Sequence, residues 1–325
     1  MMDRKQFIRA VAAGGAGAAF FAGTPWSLLA DEGYRRITVL HTNDTHARIE
    51  PFPENTPELG GKGGVLRRAT LINKLRKENP HNLLLDAGDV FQGTPYFNMF
   101  GGALDFEIMS YLKYDACTIG NHEFDNGVRG FVDVADQAKF PFVSANYDFG
   151  STAMSYWVQD FITRNVNGIR IGIFGLGVDF ENLVLPELHR GVSYKDPVET
   201  SKQMVDRLKG YFGCDMVICL SHIGYDYDDG RASDRVVAKE VPGLDLILGG
   251  HTHTFLDEPE EVIHEDDSKT IIAQVGHGGV VLGRIDLFFN GSKQLVAAKA
   301  ANNTIDEKVA EDRELKRQLS VISDQ

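Results

Sequence analysis

The sequence predicts an α/β fold whose strands are covered on both faces, and three observations predict it. Short apolar runs rich in Val, Ile and Leu recur along the chain, and each ends abruptly in polar residues. Apolar and polar residues do not alternate within these runs, which is typical of strands buried on both sides. Helix-like stretches lie between several of the runs, and repeated strand-then-helix order indicates α/β architecture.

Eight of the apolar runs are predicted to be buried strands. They are Ile37–Leu40, Leu83–Leu85, Ala116–Ile119, Phe142–Ser144, Ile169–Phe174, Met216–Leu220, Leu244–Leu248 and Ile271–Gln274. A further strand is expected over Val280–Phe289. Because no helix separates it from the strand around Thr270–Gln274, we expect an antiparallel portion to close the sheet.

Four helices are predicted between the strands, over Val65–Glu78, Ala103–Leu112, Gly130–Lys139 and Thr200–Tyr211. A fifth is expected in the tail, residues 304–325, which is charged and helix-prone. The apolar residues of the tail, Ile305 and Leu315 among them, have a spacing that loosely matches one apolar stripe along a helix. We expect this helical tail to pack on its own core, since amphipathic tails usually do so. An interaction tail is the competing interpretation.

The first thirty residues differ from the rest and predict an export signal. Arg4, Lys5 and Arg9 precede a weakly apolar run rich in Ala and Gly. The segment Arg4–Ile8 resembles a twin-arginine signal in which Lys5 replaces the second Arg, so the ordinary secretory route stays open. A retained anchor is disfavoured because the run is short of the roughly 20 apolar residues that a membrane span needs. We expect a periplasmic or extracellular protein with no membrane span in its mature form.

The balance of charge is acidic. The chain has 33 basic and 46 acidic residues, a formal net charge of −13, and without residues 1–30 it has 30 basic and 45 acidic residues. Such a surface argues against binding of nucleic acid polymers through their phosphates. A small phosphate-bearing substrate would need metal ions or a local pocket.

The three cysteines, Cys117, Cys214 and Cys219, lie in or beside apolar strand-like runs. So few cysteines do not predict a disulfide framework. We expect buried small side chains that ligate no metal.

His, Asp and Asn residues cluster directly after the predicted strands. Five strand ends carry them: His41–His46, Asp86–Asp89, Gly120–Asp125, Ser221–His222 and Gly249–His253. Open α/β sheets bind ligands along the carboxyl edge of their strands. A single D-x-H or H-x-H motif is weak evidence for a metal site, since a lone His more often has a structural role. The ordered set of five, each following an apolar run, predicts a two-metal site.

With these motifs the sequence resembles the metallophosphoesterase (calcineurin-like) superfamily, and within it the metallophosphatase domain of bacterial 5'-nucleotidases and UDP-sugar hydrolases. The likeness runs from about Ile37 to Asp286. It is strongest in Leu40–His46, Asp86–Thr94, Gly120–Asp125 and Gly249–His253. The resemblance implies a four-layer α-β-β-α sandwich with mixed sheets and a dinuclear metal site at the carboxyl ends of the strands. We assign this metallophosphatase domain to residues 31–303.

The resemblance also implies which residues ligate metal. One cation would be held by Asp44, His46 and His253, the other by Asn121, His222 and His251, and both by a bridging Asp89. Some relatives have Gln or Asn where His253 stands, which leaves the coordination of the first metal open. A carboxylate between two divalent cations about 3.5–4 Å apart offsets their repulsion. Nitrogen and oxygen ligands without thiolate leave Mn, Zn, Fe or Co as candidates.

His122 and Asp125 are three residues apart, on one face of a turn if the segment enters a helix. They are the predicted catalytic dyad. In the resembling family, the His of this motif approaches the phosphoryl group and the Asp orients its ring. The alternative is a hydrogen bond at a helix start with no catalytic role.

Other candidates receive structural interpretations. We expect Gly60–Gly64 to be a flexible loop, Asn43 and Asn146 to hydrogen-bond within loops, and Glu123 to point away from the metals. His277, in a glycine-rich turn, is expected to support the site or to be structural.

The predicted activity is hydrolysis of a phosphate ester, for which a nucleotide is the expected substrate, by metal-activated hydroxide. A cyclic nucleotide phosphodiesterase, a general phosphomonoesterase and, more remotely, a sulfur-oxidation hydrolase are alternatives. The resembling family usually carries a further C-terminal domain that binds the nucleoside, and no second core is expected after Asn302. A separate substrate-binding chain or loops of this domain would then provide selectivity. A metal-binding subunit without catalysis is the alternative from another class.

Overall fold

The structure, a computed structural model, describes residues 34–323 of the chain. The predicted export signal, residues 1–30, lies outside the described residues. The strands are β1 Arg35–Thr42, β2 Asn82–Asp86, β3 Ala116–Thr118, β4 Phe142–Val143, β5 Tyr147–Asp148, β6 Val158–Gln159, β7 Phe161–Val166, β8 Ile169–Gly177, β9 Ser193–Tyr194, β10 Met216–His222, β11 Leu246–Gly249, β12 Glu260–Ile263, β13 Lys269–Ala273, β14 Val281–Phe289 and β15 Leu295–Thr304.

The α-helices are α1 Val65–Glu78, α2 Pro95–Phe100, α3 Ala103–Tyr111, α4 Gly127–Val134, α5 Pro197–Val205, α6 Asp234–Glu240 and α7 Arg313–Ser323. Short 3-10 turns lie at His122–Phe124, Ala135–Gln137 and Ala153–Tyr156, and α5 continues as a π-helical segment over Asp206–Tyr211. None of the helices in the described range is both long and apolar enough to cross a membrane.

Two mixed sheets form the centre of the molecule. The first has the strand order β15-β14-β1-β2-β3-β4-β6, and the second β12-β13-β11-β10-β8-β7. Pairing is parallel from β1 through β6 in the first sheet and from β8 through β10 and β11 to β13 in the second. Strands β14, β15, β12 and β7 pair antiparallel at the sheet margins. The carboxyl ends of the parallel strands therefore lie on one edge of each sheet.

Alternate side chains of each central strand enter different layers. In β10, Met216, Ile218 and Leu220 are buried between the sheets, whereas Val217 and Cys219 face the core under α5 and α6. On the other side of the molecule, Leu40 and Leu84 pack in the core beneath α1 and α3. Helices thus cover the outer face of each sheet, and the predicted four-layer α-β-β-α sandwich is confirmed. It also explains the continuous apolar runs, because both faces of these strands are buried.

Three of the predicted elements need correction. The strands around Thr270–Gln274 and Val280–Phe289 do not pair with each other, because β13 belongs to the second sheet and β14 to the first. The helix predicted over Gly130–Lys139 begins at Gly127 and gives way to a 3-10 turn at Ala135. In the tail, β15 runs to Thr304 and α7 begins only at Arg313.

The tail packs against its own domain. Ile305 and Leu315 are buried in the core beneath α1, and Leu319 packs on that core. The three cysteines are buried and free, as predicted.

The two sheets approach each other closely at Gly175 of β8. The Gly175 carbonyl accepts the Ala145 N–H at 2.8 Å across the sheets. A Cβ at this position would lie 2.1 Å from the Val143 carbonyl oxygen and 2.4 Å from Thr118 Oγ1. Only a residue without a side chain fits here.

We expect Gly175→Ala to lower the free energy of unfolding by about 3 kcal/mol, the upper end of the usual cost of overpacking a core. Gly210→Ala is the matched control, because nothing lies within 4 Å of a Cβ there. Alanine is the better helix former by about 1 kcal/mol, so the control should be unchanged or more stable. Urea unfolding measures both variants, and equal stability of the two would contradict the account.

Candidate metal centre

The two sheets place five strand ends around one site. Asp44 and His46 follow β1, Asp89 follows β2 and Asn121 follows β3, all in the first sheet. From the second sheet, His222 is the last residue of β10, and His251 and His253 follow β11. The structure thus places six of the seven predicted ligands in groups whose ligand atoms lie within 4.8 Å of one another, and the seventh, Asn121, directly precedes His122, whose N–H donates to Asp89 Oδ1.

One group of ligand atoms consists of Asp44, His46 and His253. The Nε2 atoms of His46 and His253 lie 2.9 Å apart, and Asp44 Oδ1 lies 3.3 Å from His253 Nε2 and 3.9 Å from His46 Nε2. Asp44 is fully buried. Two imidazoles and one carboxylate that converge in this way match the donor set of a transition-metal site.

A second group consists of Asp89, His222 and His251, whose ligand atoms all lie within 4.8 Å of one another. His222 Nε2 is 3.0 Å from Asp89 Oδ2. Among the described residues, Asn121 Oδ1 is a buried oxygen without a hydrogen-bond partner. A buried unpaired amide oxygen is costly unless a ligand satisfies it. The second group therefore also fits a divalent cation.

Asp89 connects the two groups. Its carboxylate also lies within 4.8 Å of the ligand atoms of His46 and His122, which belong to the other side of the site. His222 Nε2 is 3.9 Å from Asp44 Oδ1, so the groups are adjacent. This position suits the bridging role that the sequence predicts for Asp89.

Backbone carbonyls orient two of the imidazoles. His222 Nδ1 lies 2.7 Å from the Ala87 carbonyl oxygen, and His46 Nδ1 lies 3.1 Å from the Phe91 carbonyl oxygen. A proton on Nδ1 that is donated to a carbonyl leaves Nε2 with its lone pair facing the site. Metal-binding histidines are commonly held this way.

The loops that carry the ligands have an unusual backbone. Five of the predicted ligands have a positive φ: Asp44 at 48°, His46 at 48°, Asp89 at 54°, His251 at 72° and His253 at 54°. Each such residue costs about 1–3 kcal/mol and persists only where neighbouring structure enforces it. Here the Asp44 N–H donates to the Gly88 carbonyl and the His46 N–H donates to the Asp89 carbonyl. These hydrogen bonds join the loop that follows β1 to the loop that follows β2 and stabilise both.

Glu123 has a structural role that sequence reasoning missed. Its buried carboxylate accepts the backbone N–H groups of Asp89, Val90 and Gly120 at 2.6–3.1 Å. It points away from the ligand atoms, as expected, but it fixes the loop that carries Asp89. Burial, and then the charge of Asp89, raise the pKa of Glu123 to about 7.

The carboxylates dominate the electrostatics of the site. Burial alone would lower the pKa of His222, but Asp89 and Asp44 outweigh it and raise that pKa to about 10. Burial acts to raise the pKa of Asp89, and the nearby His222 lowers it well below its usual value. For His251, burial and the charge of His222 lower the pKa to about 4. The site concentrates negative charge where cations would bind.

The predicted dyad forms beside Asp89, on the side of His46. His122 opens a 3-10 turn, and its Nδ1 lies 2.9 Å from Asp125 Oδ2. Its Nε2 is directed toward the site, 4.0 Å from Asp89 Oδ2. Burial opposes protonation of His122, but the hydrogen bond to Asp125 and the charge of Asp89 raise its pKa above the usual value.

The Asn43 and Asn146 side chains make structural hydrogen bonds, but these extend to other segments and do not stay within their own loops as expected. The Asn43 side chain donates to the Gly276 carbonyl and accepts the Val275 N–H, and the Asn146 amide pairs with the backbone of Gly177.

The glycine segment Gly60–Gly64 does not offer its N–H groups to a phosphate. The N–H of Gly61 donates to the Phe52 carbonyl and that of Gly63 to the Ile305 carbonyl. The segment is therefore bound to the protein and not a free anion-binding loop.

Comparison with known proteins identifies the family. Residues 37–255 match the family described as calcineurin-like phosphoesterase. The chain belongs to this family. The resemblance inferred from the strand-end motifs is thereby confirmed, and so is the fold that it implies.

The relatives include several nucleotidases. A snake venom 5'-nucleotidase of Crotalus adamanteus is 33% identical over 308 residues, which cover 89% of this chain and 51% of that protein. The trifunctional nucleotide phosphoesterase protein YfkN of Bacillus subtilis is 33% identical over 89% of this chain and 20% of its own length. The crystal structure of a 5'-nucleotidase precursor from Thermus thermophilus matches with a TM-score of 0.79 and 31% identity, covering 88% of this chain and 58% of that one. The chain thus spans about half the length of most of these relatives.

We expect Asp89→Asn to lower the metal content of the protein below that of single-site variants such as His251→Ala, because Asp89 contributes to both groups. Elemental analysis after dialysis against Mn²⁺ measures the content per chain. Asp133→Asn, an exposed carboxylate on α4, is the control. Retention of the full metal content by the Asp89 variant would contradict the shared role.

Proposed function

We propose that the chain is an exported, metal-dependent phosphoesterase that hydrolyses small phosphate esters, with nucleotides such as AMP or UDP-glucose as substrates. The observation that carries the proposal is the pair of ligand groups that lie on either side of Asp89, whose carboxylate is a ligand atom of the second group and lies within 4.8 Å of those of His46 and His122. The relatives named 5'-nucleotidase support the choice of substrate class. Residues 1–30 support export, and a mature N-terminus after this segment, read by mass spectrometry, would check it.

With cations bound, the site would suit a phosphoryl group. Two divalent cations in these groups would supply Lewis acidity toward phosphoryl oxygens and lower the pKa of water. Asp44 and Asp89 would hold the cations, and the carbonyls of Ala87 and Phe91 would keep the histidine rings aligned. Preorganised groups of this kind act without reorganisation during the reaction.

His122 is proposed as the residue that acts on the ester itself. Its ring is part-buried at the edge of the site, and Asp125 holds Nδ1 so that Nε2 faces inward. A protonated imidazole there stabilises charge on the phosphoryl oxygens or donates a proton to the leaving oxygen. Asp125 orients the ring, as the third group of a catalytic set does.

The assay that tests the function uses protein stripped of metal and resupplied with Mn²⁺, Zn²⁺ or Co²⁺. We expect metal-dependent phosphate release from AMP or UDP-glucose, with kcat lowered about 10²–10⁴-fold in His122→Ala. His81→Ala, an exposed histidine before β2, is the matched control.

Other results would redirect the proposal. Turnover of cyclic nucleotides alone would favour a phosphodiesterase. Turnover of 4-nitrophenyl phosphate alone would favour a metal centre that needs a separate substrate-binding chain. Metal binding without turnover of any ester would favour the non-catalytic subunit.

We expect Asp125→Asn to shift the pH dependence of kcat. His122 must be protonated, so activity falls as pH rises through its pKa. The carboxylate of Asp125 raises that pKa, and its removal lowers it, which moves the alkaline limb of the profile to lower pH. A pH–rate profile measures the limb, and an unchanged position would show that Asp125 does not tune His122.

A further inference from the structure

A cavity of about 240 Å³ opens beside the metal centre. Its inner wall is formed by His46, His122 and His253, which belong to the centre. Its outer wall includes Arg48, Phe52 and His277, to which neither the motifs nor the proposed mechanism assigns a role. A group bound at the metals would therefore meet this outer wall on its exposed side.

Arg48 is a cation without an anionic partner. No carboxylate of the described residues lies within 4.0 Å of its guanidinium, and within the same range the side chain makes no hydrogen bond to protein. The side chain is half-buried. Most arginines in the described part of the chain contact a carboxylate or a carbonyl, as Arg284 does with Glu78 and Asp286. A partly desolvated, unpaired guanidinium is costly unless a ligand completes it.

The position of Arg48 is fixed from both sides. Its guanidinium carbon lies 4.2 Å from the centre of the Phe52 ring, a cation–π contact. Its backbone N–H donates to the Thr45 carbonyl at 3.0 Å, and Thr94 Oγ1 donates to the Ala47 carbonyl at 2.8 Å. The cation is therefore held at the outer wall and does not sample the solvent freely.

The rings of the outer wall are already engaged. His277 stacks on His253 with centroids 4.6 Å apart, and its edge meets Phe52 at 5.9 Å. Arg48 covers one face of Phe52. The N–H donors of the guanidinium remain for a ligand, and they form a planar fork suited to phosphate or carboxylate.

We propose that Arg48 binds a second anionic group of the substrate, adjacent to the phosphoryl group that is transferred. The inference rests on the proposed function and deepens it, because among the proposed substrates those with a second phosphate next to the reacting one, as in UDP-glucose, would bind more tightly than AMP through Arg48. His122 and the candidate metal centre would serve the reacting phosphoryl group, and Arg48 lines the same cavity as His122. A nucleoside diphosphate carries both anions at adjacent positions, whereas a simple aryl phosphate carries one.

The test compares ADP with 4-nitrophenyl phosphate in the Mn²⁺-loaded full chain. We expect Arg48→Gln to raise KM for ADP about tenfold or more with a smaller change in kcat, because a charge-assisted hydrogen bond is lost. KM for 4-nitrophenyl phosphate should stay within about twofold, the scatter expected of a residue that does not touch that substrate. Arg48→Lys keeps the positive charge but loses the planar fork of N–H donors, so its KM for ADP should lie between those of the wild type and Arg48→Gln. Arg190→Gln, an exposed arginine that does not line the cavity, is the matched control.

A binding measurement separates this inference from the proposed function. Calorimetry with ADP whose bridging oxygen is replaced by methylene gives Kd without turnover, and the Arg48→Gln variant should bind about tenfold more weakly. The ligand without a second phosphate is the AMP analogue in which methylene replaces the ester oxygen next to phosphorus, which is not hydrolysed, and its Kd should be unchanged. Equal losses for both ligands would place Arg48 on the reacting phosphoryl group, and no loss would remove it from the site, so either result overturns the inference. If wild-type protein hydrolyses no ester, the function fails while the calorimetry still decides the role of Arg48. Thermal unfolding and metal content confirm that each variant is folded and loaded.

Discussion

The Asp89 carboxylate is the point on which the rest of the structure depends. It is buried between two sheets, lies 3.0 Å from His222 Nε2 of the second sheet and accepts the His122 N–H of the first at 2.9 Å. Gly120 passes so close that a Cβ there would lie 2.2 Å from Asp89 Oδ1. A buried carboxylate of this kind needs positive charge to be stable, and three strand ends have to approach it together. The positive φ of the ligand residues and the Glu123 contacts are the local structure by which the chain meets this requirement.

Most of the central fold could be predicted from the sequence for one physical reason. Strands buried on both faces leave unbroken apolar runs, as in β8 and β10, and polar residues follow where each strand ends. The sequence did not predict β7 or β15, because Phe161–Val166 and Leu295–Thr304 mix polar residues at a partly exposed margin. Nor could the sequence place β13 and β14 in different sheets, because no residue pattern in the turn that joins them shows that the chain passes from the second sheet to the first there.

The candidate site was predictable in its donor atoms but less so in its supporting groups. Asp, Asn and His at five strand ends are a chemical pattern that can be read along the chain. Glu123 gave no such signal, because its role depends on the N–H groups of another loop converging on its carboxylate. Arg48 gave none either, since its lack of a partner is a property of the cavity and not of its neighbours in sequence. Residues of this kind are recognised only once distances are known.

The central claim is that two cations share Asp89, and anomalous diffraction from crystals of the Mn²⁺-loaded protein tests it most directly. The account predicts two anomalous peaks on either side of the Asp89 carboxylate, about 3.5–4 Å apart. One should lie among Asp44, His46 and His253, and the other beside His222. A single peak, or two peaks of which neither touches Asp89, would contradict it.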